Sequence, residues 1–341
     1  MKAEYIDMIC EFDDNIFTTN EVDFDKIALE LYRYQYHHNE VYRQFVNGLQ
    51  IDAEKVDSIY KIPFLPIGLF KSHTITTKSF LPEYIFESSG TTQIVPSRHH
   101  IKKLELYARS FNAGFQLFYG NAADWCIIGL LPSYLERRNS SLVMMVNELV
   151  TKSGHPHSGF YLDDHARLAA VLQELETNAQ KVLLIGVTFA LLDFADVFPM
   201  ELRHTVVMET GGMKGRRQEM TREEVHNILK SRFGLHEVHS EYGMTELLSQ
   251  AYSQKNGNFY CPPWLRVFIR EEDDPLQVKD GKGPGEQSVV NGILNIIDLA
   301  NIHSCAFIAT EDVGIIHANG SFEVLGRVDN SDVRGCSLMV V

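Results

Sequence analysis

The sequence predicts an α/β fold, in which a parallel β-sheet is covered by helices and is followed by a small β-rich region. Residues 125–131, 182–187 and 205–208 are continuous apolar runs, and such runs predict strands that are buried on both faces. Beside these runs, residues 104–115 and 225–233 repeat apolar side chains at the spacing of one helix face. The alternation of strands and helices is typical of a parallel sheet.

The helix predicted at residues 225–233 carries its own boundary signals. Thr221 and Glu224 have the spacing of a capping box, and Gly234 follows the last turn. We expect a strand next, at residues 236–239, so that the residues after it lie just beyond a strand end.

Changes of pattern along the chain predict three regions. Residues 1–60 carry apolar side chains at helical spacing and predict a helical N-terminal segment. Residues 61–260 form the predicted α/β core, and residues 261–341 form a β-rich region with a C-terminal arm, because short apolar runs there are separated by Gly, Asp, Asn and Pro. The apolar segment 62–70 contains two prolines that exclude a regular helix. It is either a buried connector or a wall of an acyl-binding site.

Composition and charge limit the class of protein. The 341 residues are 45% hydrophobic and 22% charged, as in a globular protein, and the net charge is −14. This acidic balance argues against a broad nucleic-acid surface, which needs Lys and Arg to neutralise phosphates. We expect neither a membrane span nor a secretory signal, because long apolar runs are missing. Five cysteines without CxxC spacing indicate free thiols and a cytoplasmic location.

A hydroxyl-rich turn follows the extended segment 84–86. Glycine lets the backbone approach a ligand closely, and hydroxyl and N–H groups donate to phosphate oxygens. The turn is either a phosphate-binding loop, with Arg98 as a nearby positive charge, or an ordinary connection between strands. Its residues are Ser88, Ser89, Gly90, Thr91 and Thr92.

Two other segments follow predicted strands. In the run SEYGMTE, Glu246 is a carboxylate that can hold Mg²⁺ together with waters and phosphate oxygens, and Tyr242 can stack on a purine. Gly211, Gly212 and Lys214 follow the strand at 205–208, and ligands of open α/β sheets bind beyond the carboxyl ends of strands. The alternatives are a solvated Glu in a turn and a flexible basic turn.

Segments in a fixed order carry a family resemblance. Four short motifs lie at residues 88–92, 242–246, 310–312 and 326–329, and five longer phrases are IPFLPIGLFKSH (62–73), LPSYLERRNSSLV (131–143), METGGMKGRR (208–217), HSEYGMTELLSQAY (239–252) and EVLGRVDNSDVRGCSL (323–338). The short motifs resemble those of adenylate-forming enzymes, which include acyl-CoA ligases, phenylacetate-CoA ligase and luciferases. The longer phrases resemble one branch, the LuxE-like acyl-protein synthetase family, over about residues 60–341.

The resemblance implies an adenylate-forming fold and a site for ATP and Mg²⁺. It assigns the β- and γ-phosphates of ATP to Ser88, Ser89, Gly90, Thr91 and Thr92. It assigns the adenine to Gly211, Gly212 and Tyr242, and the ribose hydroxyls to Asp312, with Arg327 nearby. It places Thr245 at the α-phosphate and Glu246 at Mg²⁺.

The chain departs from the family pattern in two ways. Gln93 stands where the superfamily loop has a further glycine, and Arg98 stands where a lysine is usual. Related CoA ligases also continue beyond the motif at Gly326 into a mobile C-terminal domain that carries a lysine for adenylation. We expect that domain to be absent, so that either another residue such as Lys214 or Arg216 supplies the charge or adenylation is slower, and direct CoA ligation is disfavoured.

Cys336 is the expected acyl acceptor. Terminal segments are usually mobile, and Gly335 adds backbone freedom. The resemblance implies that a C-terminal thiol of this kind takes the acyl group from the adenylate as a thioester. The alternative is a buried cysteine in a short final strand.

The sequence therefore predicts a ligase that uses ATP to convert a carboxylic acid, expected to be a fatty acid, into an acyl-AMP. The acyl group would pass to a protein thiol and then to a partner acyl reductase or acyltransferase. The first alternative is an acyl- or aryl-CoA ligase. The second is a non-catalytic nucleotide-binding protein with a regulatory or assembly role.

Overall fold

The computed structural model describes residues 16–18, 21–88, 95–131, 139–162, 164–211, 220–271, 274–281 and 289–328. The α-helices in these residues are α1 (Glu21–His38), α2 (Glu40–Gly48), α3 (Leu69–Ser72), α4 (Leu104–Tyr119), α5 (Ser141–Ser153), α6 (His165–Thr177), α7 (Thr188–Val197) and α8 (Arg222–Phe233). Short 3-10 turns lie at Ile16–Thr18, Ala53–Lys55, Ile59–Lys61 and Ala122–Asp124. Within the described residues, no helix has the length and apolar character needed to cross a membrane.

The strands in the same ranges are β1 (Leu65–Pro66), β2 (Tyr84–Glu87), β3 (Arg98–Ile101), β4 (Cys126–Leu130), β5 (Gly159–Phe160), β6 (Val182–Gly186), β7 (Thr205–Glu209), β8 (His239–Tyr242), β9 (Ala251–Ser253), β10 (Phe259–Tyr260), β11 (Leu265–Arg270), β12 (Val278–Lys279), β13 (Val290–Asp298), β14 (Phe307–Ile316) and β15 (Phe322–Arg327).

One large sheet joins a parallel half to an antiparallel half. Strands β5, β4, β6, β7 and β8 lie side by side in that order, and every neighbouring pair is parallel. Strand β9 runs antiparallel to β8, and β10, β15, β14, β13, β11 and β12 continue the sheet in antiparallel pairs. β1 adds to β14, and β2 and β3 form a separate hairpin. The predicted fold class is confirmed.

The two faces of the parallel half carry different side chains, because successive residues of a strand point to opposite faces. Glu209 and Ser240 are register partners on β7 and β8, and they point to the face covered by α7 and α8. His239 points to the other face, where its Nδ1 lies 3.1 Å from the hydroxyl of Tyr119 on α4. The end of β8 is therefore reached from both layers of helices.

Local signals set the bounds of α8. The hydroxyl of Thr221 accepts from the backbone N–H of Glu224, the Glu224 carboxylate accepts from the N–H of Thr221, and Gly234 ends the helix at φ +63°. The capping box and the glycine stop are thus confirmed. The strand expected at 236–239 is wrong, since β8 starts at His239 and includes Tyr242. β8 pairs with β7 only through His239 and Ser240, which lie opposite Met208 and Glu209. Residues 236–238 therefore have no partner in β7.

The apolar segment 62–70 serves as a connector. Phe64 and Leu65 are buried, and Leu65 and Pro66 pair with Ile308 and Ala309 of β14. The segment turns into α3 at Leu69, where the backbone is free of both prolines. The buried-connector interpretation therefore describes residues 62–65, whereas Pro66 is exposed.

Buried amide side chains join the N-terminal helices to the antiparallel half. The Gln35 amide donates to the carbonyls of Asn301 and Ile302 at 2.9 and 3.1 Å and accepts from the N–H of Ala306 at 2.9 Å. Asn39 donates to the carbonyl of Ser304 at 3.1 Å. These bonds satisfy the backbone of an irregular buried segment, residues 299–306, which would otherwise be costly to bury.

Asp298, the last residue of β13, fixes the turn that follows β8. Its carboxylate accepts from the backbone N–H groups of Leu248 and Ser249 at 2.8 and 3.0 Å, from the Ser249 hydroxyl at 2.6 Å and from the N–H of Ala300 at 3.1 Å. The Trp264 ring nitrogen donates to the same Ser249 hydroxyl. Asp298 is fully buried, so these bonds replace the hydrogen bonds to water that its carboxyl group loses on folding.

Candidate functional site

Asp312 on β14 lies between side chains from two other strands. The Tyr242 hydroxyl of β8 donates to one Asp312 oxygen at 2.8 Å, and the Arg327 Nε of β15 donates to the other at 3.0 Å. Arg327 and Asp312 are register partners in neighbouring strands, and the Tyr242 ring packs edge-on against Phe322. A carboxylate can accept about four hydrogen bonds, so Asp312 keeps acceptor capacity for ligand hydroxyls.

The Thr245–Glu246 backbone is held by a histidine and an asparagine. His99 of β3 is buried and donates from Nδ1 to the carbonyl of Thr245 at 2.8 Å. Asn301 donates to the carbonyl of Glu246 at 2.8 Å and lies 3.2 Å from His99 Nε2. Burial lowers the pKa of His99 to about 4, so the ring is neutral at pH 7 and acts as an anchor.

The Glu246 carboxyl adjoins the start of the hydroxyl-rich turn. Burial raises the pKa of Glu246, and a hydrogen bond from the Ser97 side chain opposes that rise. Two hydrogen bonds join Ser97 to Ser88. The N–H of Ser97 donates to the Ser88 hydroxyl at 2.9 Å, and the N–H of Ser88 donates to the carbonyl of Ser97 at 3.1 Å. The positive charges of Arg327 and Lys71 also act on the Glu246 carboxyl.

Sequence-predicted residues from four separate stretches therefore meet in one place: Ser88, Tyr242, Thr245, Glu246, Asp312 and Arg327. Other predicted residues lie outside the described ranges: Ser89, Gly90, Thr91, Thr92, Gly212, Lys214 and Cys336. Arg98, expected as a free positive charge, is paired instead with Glu87 across the hairpin, at 3.2 Å from Nε to Oε1.

A buried carboxylate at the end of β7 organises the neighbouring strand ends. One oxygen of Glu209 accepts from the Thr188 hydroxyl and the Gly211 N–H, both at 2.9 Å. The other accepts from the Ser240 hydroxyl at 3.0 Å and from Arg222 Nε at 3.1 Å. Gly211, with φ +72°, adopts a backbone conformation that favours glycine. Glu209 thus fixes the first glycine of the predicted adenine segment.

The pKa of Glu209 reports this environment. Burial alone would raise it, but the His226 side chain, whose Nε2 lies 3.7 Å from Oε1, and the positive charge of Arg222 lower the pKa to about 2. Arg222 also donates to the carbonyl of Val324 on β15 at 2.7 Å. Sequence reasoning missed Glu209, although a Glu that ends an apolar run directly before a Gly-rich segment is a readable signal.

A cleft of about 300 Å³ lies between α3 and the β2–β3 hairpin. Its walls are Phe70, Lys71, Ser72, His73, Thr74, Ile85, Glu87, Arg98, His100 and Asn139. Lys71 is exposed there, and its charge reaches Glu246. The sequence predicts no role for Lys71, which lies in the phrase IPFLPIGLFKSH, because a single lysine after an apolar run usually lies on a solvated surface.

Glu246 is suited to a divalent cation that also binds a ligand. It is buried, and burial raises its pKa, which means that its negative charge is incompletely compensated by the protein. Across the described ranges, no group of three or more His, Cys, Asp or Glu side chains could hold a metal ion. A cation at Glu246 would therefore need waters or phosphate oxygens as further ligands, as Mg²⁺ usually does.

Comparisons with known proteins place the chain in a family. The family described as "Acyl-protein synthetase, LuxE" matches residues 7–341. A long-chain-fatty-acid–luciferin-component ligase from Vibrio harveyi is 25% identical, over 99% of this chain and 95% of that protein. The ligase of the same name from Aliivibrio fischeri is 23% identical, over 96% of this chain and 93% of that protein.

The fold has solved counterparts. A luciferase-like enzyme from the nonluminescent mealworm Zophobas morio superimposes with a TM-score of 0.50 at 14% identity, over 75% of this chain. This chain spans 60% of the length of that enzyme. The likeness concerns the fold.

Replacing Glu209 with Gln is expected to destabilise the protein at pH 7 by about 3–5 kcal/mol. The neutral amide removes the negative charge that pairs with Arg222, and its NH₂ group faces donors that need an acceptor. The folded pKa of about 2 lies below the ordinary value of 4.5. The stabilisation by ionised Glu209 is therefore complete above pH 4.5 and is lost as the pH falls toward 2. Urea unfolding of both proteins between pH 7 and pH 2.5 measures the difference.

The exposed Glu223→Gln variant is the matched control for Glu209, and we expect a change within about 0.5 kcal/mol. Equal stability of Glu209→Gln and the wild type at pH 7 would contradict the anchoring role. So would a difference between them that does not shrink toward low pH.

Proposed function

This chain belongs to the LuxE acyl-protein synthetase family, and from that membership we propose that it activates a fatty acid with ATP and transfers the acyl group to a protein thiol. One observation carries the proposal. Glu246, Asp312 and Arg327, which come from distant parts of the chain, converge beside Ser88 at the foot of the hydroxyl-rich turn. A nucleoside triphosphate needs this combination: a carboxylate that accepts from the ribose hydroxyls, cations that neutralise the phosphates, and a carboxylate that binds the metal ion.

We assign the nucleoside of ATP to the strand ends. The Asp312 carboxylate has unused acceptor capacity and takes the ribose hydroxyls, while Arg327 and Tyr242 hold it in place. Tyr242 and the glycines Gly211 and Gly212 line the adenine. The support for this assignment is that the Glu209 carboxylate accepts hydrogen bonds from both Gly211 and Ser240 of β8.

We assign the phosphates to the turn beyond β2. Ser88, with Ser89, Gly90, Thr91 and Thr92, surrounds the β- and γ-phosphates, and Thr245 contacts the α-phosphate. Glu246 would hold Mg²⁺, whose charge neutralises the phosphate oxygens when it is bound. The carboxylate of the acid is already ionised at neutral pH and needs no protein base.

In the adenylation step, an oxygen of the fatty acid carboxylate attacks the α-phosphorus. The bond from that phosphorus to the bridging oxygen breaks, and pyrophosphate leaves with the electron pair. Fixed positive charge near the leaving group lowers the barrier. We propose that Lys71 contributes this charge, because it lines the cleft beside the hairpin and acts electrostatically on Glu246.

In the transfer step, a thiolate attacks the acyl carbonyl carbon and AMP leaves. We propose Cys336 as the thiol. Cys126 and Cys305 are unsuited because burial raises their pKa values to about 11 and about 12, which keeps the thiols protonated at pH 7. The thioester then serves an acyl reductase or acyltransferase. We propose that the protein works in the cytoplasm, where thiols stay reduced.

Acid-dependent ATP–pyrophosphate exchange tests the adenylation step. We expect exchange with fatty acids in a panel that also contains short and aromatic acids. The rate should be about 100-fold lower in Glu246→Gln, because this variant lacks the carboxylate that would hold Mg²⁺ against the phosphates. Glu223→Gln, on the surface of α8, should exchange like the wild type. The absence of exchange with every acid in the panel would contradict adenylation.

Lys71→Gln is expected to lower kcat/KM for ATP in the exchange assay by about 100-fold, with partial recovery in Lys71→Arg. The dissociation constant of AMP should stay unchanged, because AMP lacks the β- and γ-phosphates. Lys55→Gln is the control, since Lys55 is an exposed lysine paired with Asp52. Equal loss of ATP and AMP binding in Lys71→Gln would assign Lys71 a structural role instead.

Labelled fatty acid incubated with ATP is expected to remain on the denatured wild-type protein and to be released by hydroxylamine, as a thioester is. Cys336→Ser should lose the label and keep ATP–pyrophosphate exchange. Cys261→Ser is the matched control, because Cys261 is a partly exposed cysteine among the described residues. Label retained on Cys336→Ser would overturn the assignment of the thiol, and added CoA that carries the label away would favour an acyl-CoA ligase.

A further inference from the structure

The carboxyl group of Glu241 is partly buried and has no partner among the described residues. Glu241 lies on β8 directly opposite Tyr252 of β9. No hydrogen bond or ion pair reaches its carboxyl from any residue in the described ranges. A carboxyl group that loses water without gaining a partner costs folding free energy. Such a group calls for a ligand that supplies the missing interaction.

The surroundings of Glu241 are aromatic and uncharged, apart from one repulsive neighbour. Helix α4 covers this face of the sheet, where the Phe118 and Tyr119 rings lie 5.2 and 5.4 Å from the Tyr252 ring. Burial, and then the negative charge of Glu209, raise the pKa of Glu241 to about 8. The titratable groups that face it are Tyr107 and Tyr119 of α4, Tyr252 of β9 and His239 of β8, while Glu209 of β7 acts on it from the opposite face of the sheet.

None of these facing groups is a cation at pH 7. Burial raises the pKa values of the three tyrosines above their ordinary value, so they stay neutral. Burial also lowers the pKa of His239 to about 4, so its ring is neutral too. Burial and the negative charge of Glu209 therefore favour the neutral form of Glu241 at pH 7, and none of these facing groups supplies a positive charge that would oppose them.

The Glu241 carboxyl lies against the turn that carries Thr245 and Glu246. A Cβ atom placed on Gly243 would come within 2.5 Å of Glu241 Oε1, so the carboxyl occupies the space beside that glycine. Glu241 keeps part of its surface accessible. The Tyr252 hydroxyl on the same face is buried and, in the described part of the chain, also has no hydrogen-bond partner. Two unsatisfied polar groups thus adjoin the proposed adenylation residues.

We propose that the neutral Glu241 carboxyl donates a hydrogen bond to the carboxylate of the fatty acid and holds it beside the Gly243 turn, next to the α-phosphate. The proposal rests on the function proposed above and adds a binding residue for the acid. A neutral carboxyl attracts an anionic carboxylate, whereas an ionised one repels it.

Direct binding of a medium-chain fatty acid, measured without ATP, tests the inference. Only the neutral form of Glu241 binds the acid, so the dissociation constant of the wild type should rise about tenfold from pH 7 to pH 9. The uncharged primary amide of the same chain should show little change over that range. Calorimetric titration of both ligands against the wild-type protein decides the point even if a variant fails to fold.

Glu241→Gln is the decisive variant, because its amide also donates but stays neutral at every pH. It should bind the acid at pH 7 nearly as well as the wild type and show no loss at pH 9. Glu223→Gln should keep the wild-type pH dependence. A pH-independent dissociation constant in the wild type, the same pH dependence in Glu241→Gln, or no acid binding at pH 7 would each overturn the inference. Because ATP is absent, failure of ATP–pyrophosphate exchange would contradict the proposed function separately.

Discussion

The hydrogen-bonded burial of the Glu209 carboxylate is the interaction on which the site depends. Its two oxygens accept from α7, from Gly211, from β8 and from Arg222 of α8. An ionised carboxylate loses much solvation free energy on burial, so the structure around it must supply several well-placed donors. Since Arg222 also binds the backbone of β15, the same carboxylate connects the parallel half of the sheet to the antiparallel half.

The candidate site lies at that connection. The parallel half contributes the ends of β7 and β8, and the antiparallel half contributes Asp312 and Arg327. The chain reverses direction between β8 and β9, and Asp298 and Asn301 hold this turn through backbone groups. The N-terminal helices bind the same irregular segment through Gln35 and Asn39. A site assembled from so many regions depends on tertiary packing more than on any single loop.

Two buried carboxyl groups near the site have opposite chemistry because they lie on opposite faces of the sheet. Glu209 faces cationic and hydroxyl donors and has a pKa of about 2, whereas Glu241 faces tyrosine rings and has a pKa of about 8. Environments that separate the pKa values of neighbouring carboxyls give them separate roles. Here the ionised group anchors the structure and the neutral group remains available to a ligand.

Sequence patterns were sufficient to predict the local elements and the family. The apolar runs became β4, β6 and β7, the capping box at Thr221 fixed α8, and the ordered motifs identified the residues that meet around Asp312. Contacts between distant parts of the chain set where β8 begins, pair Arg98 with Glu87, place His99 on Thr245, and leave Glu241 without a partner among the described residues. Periodicity and capping depend on neighbours in sequence, whereas strand pairing, burial and the charge around a side chain depend on contacts between residues that are far apart in the chain.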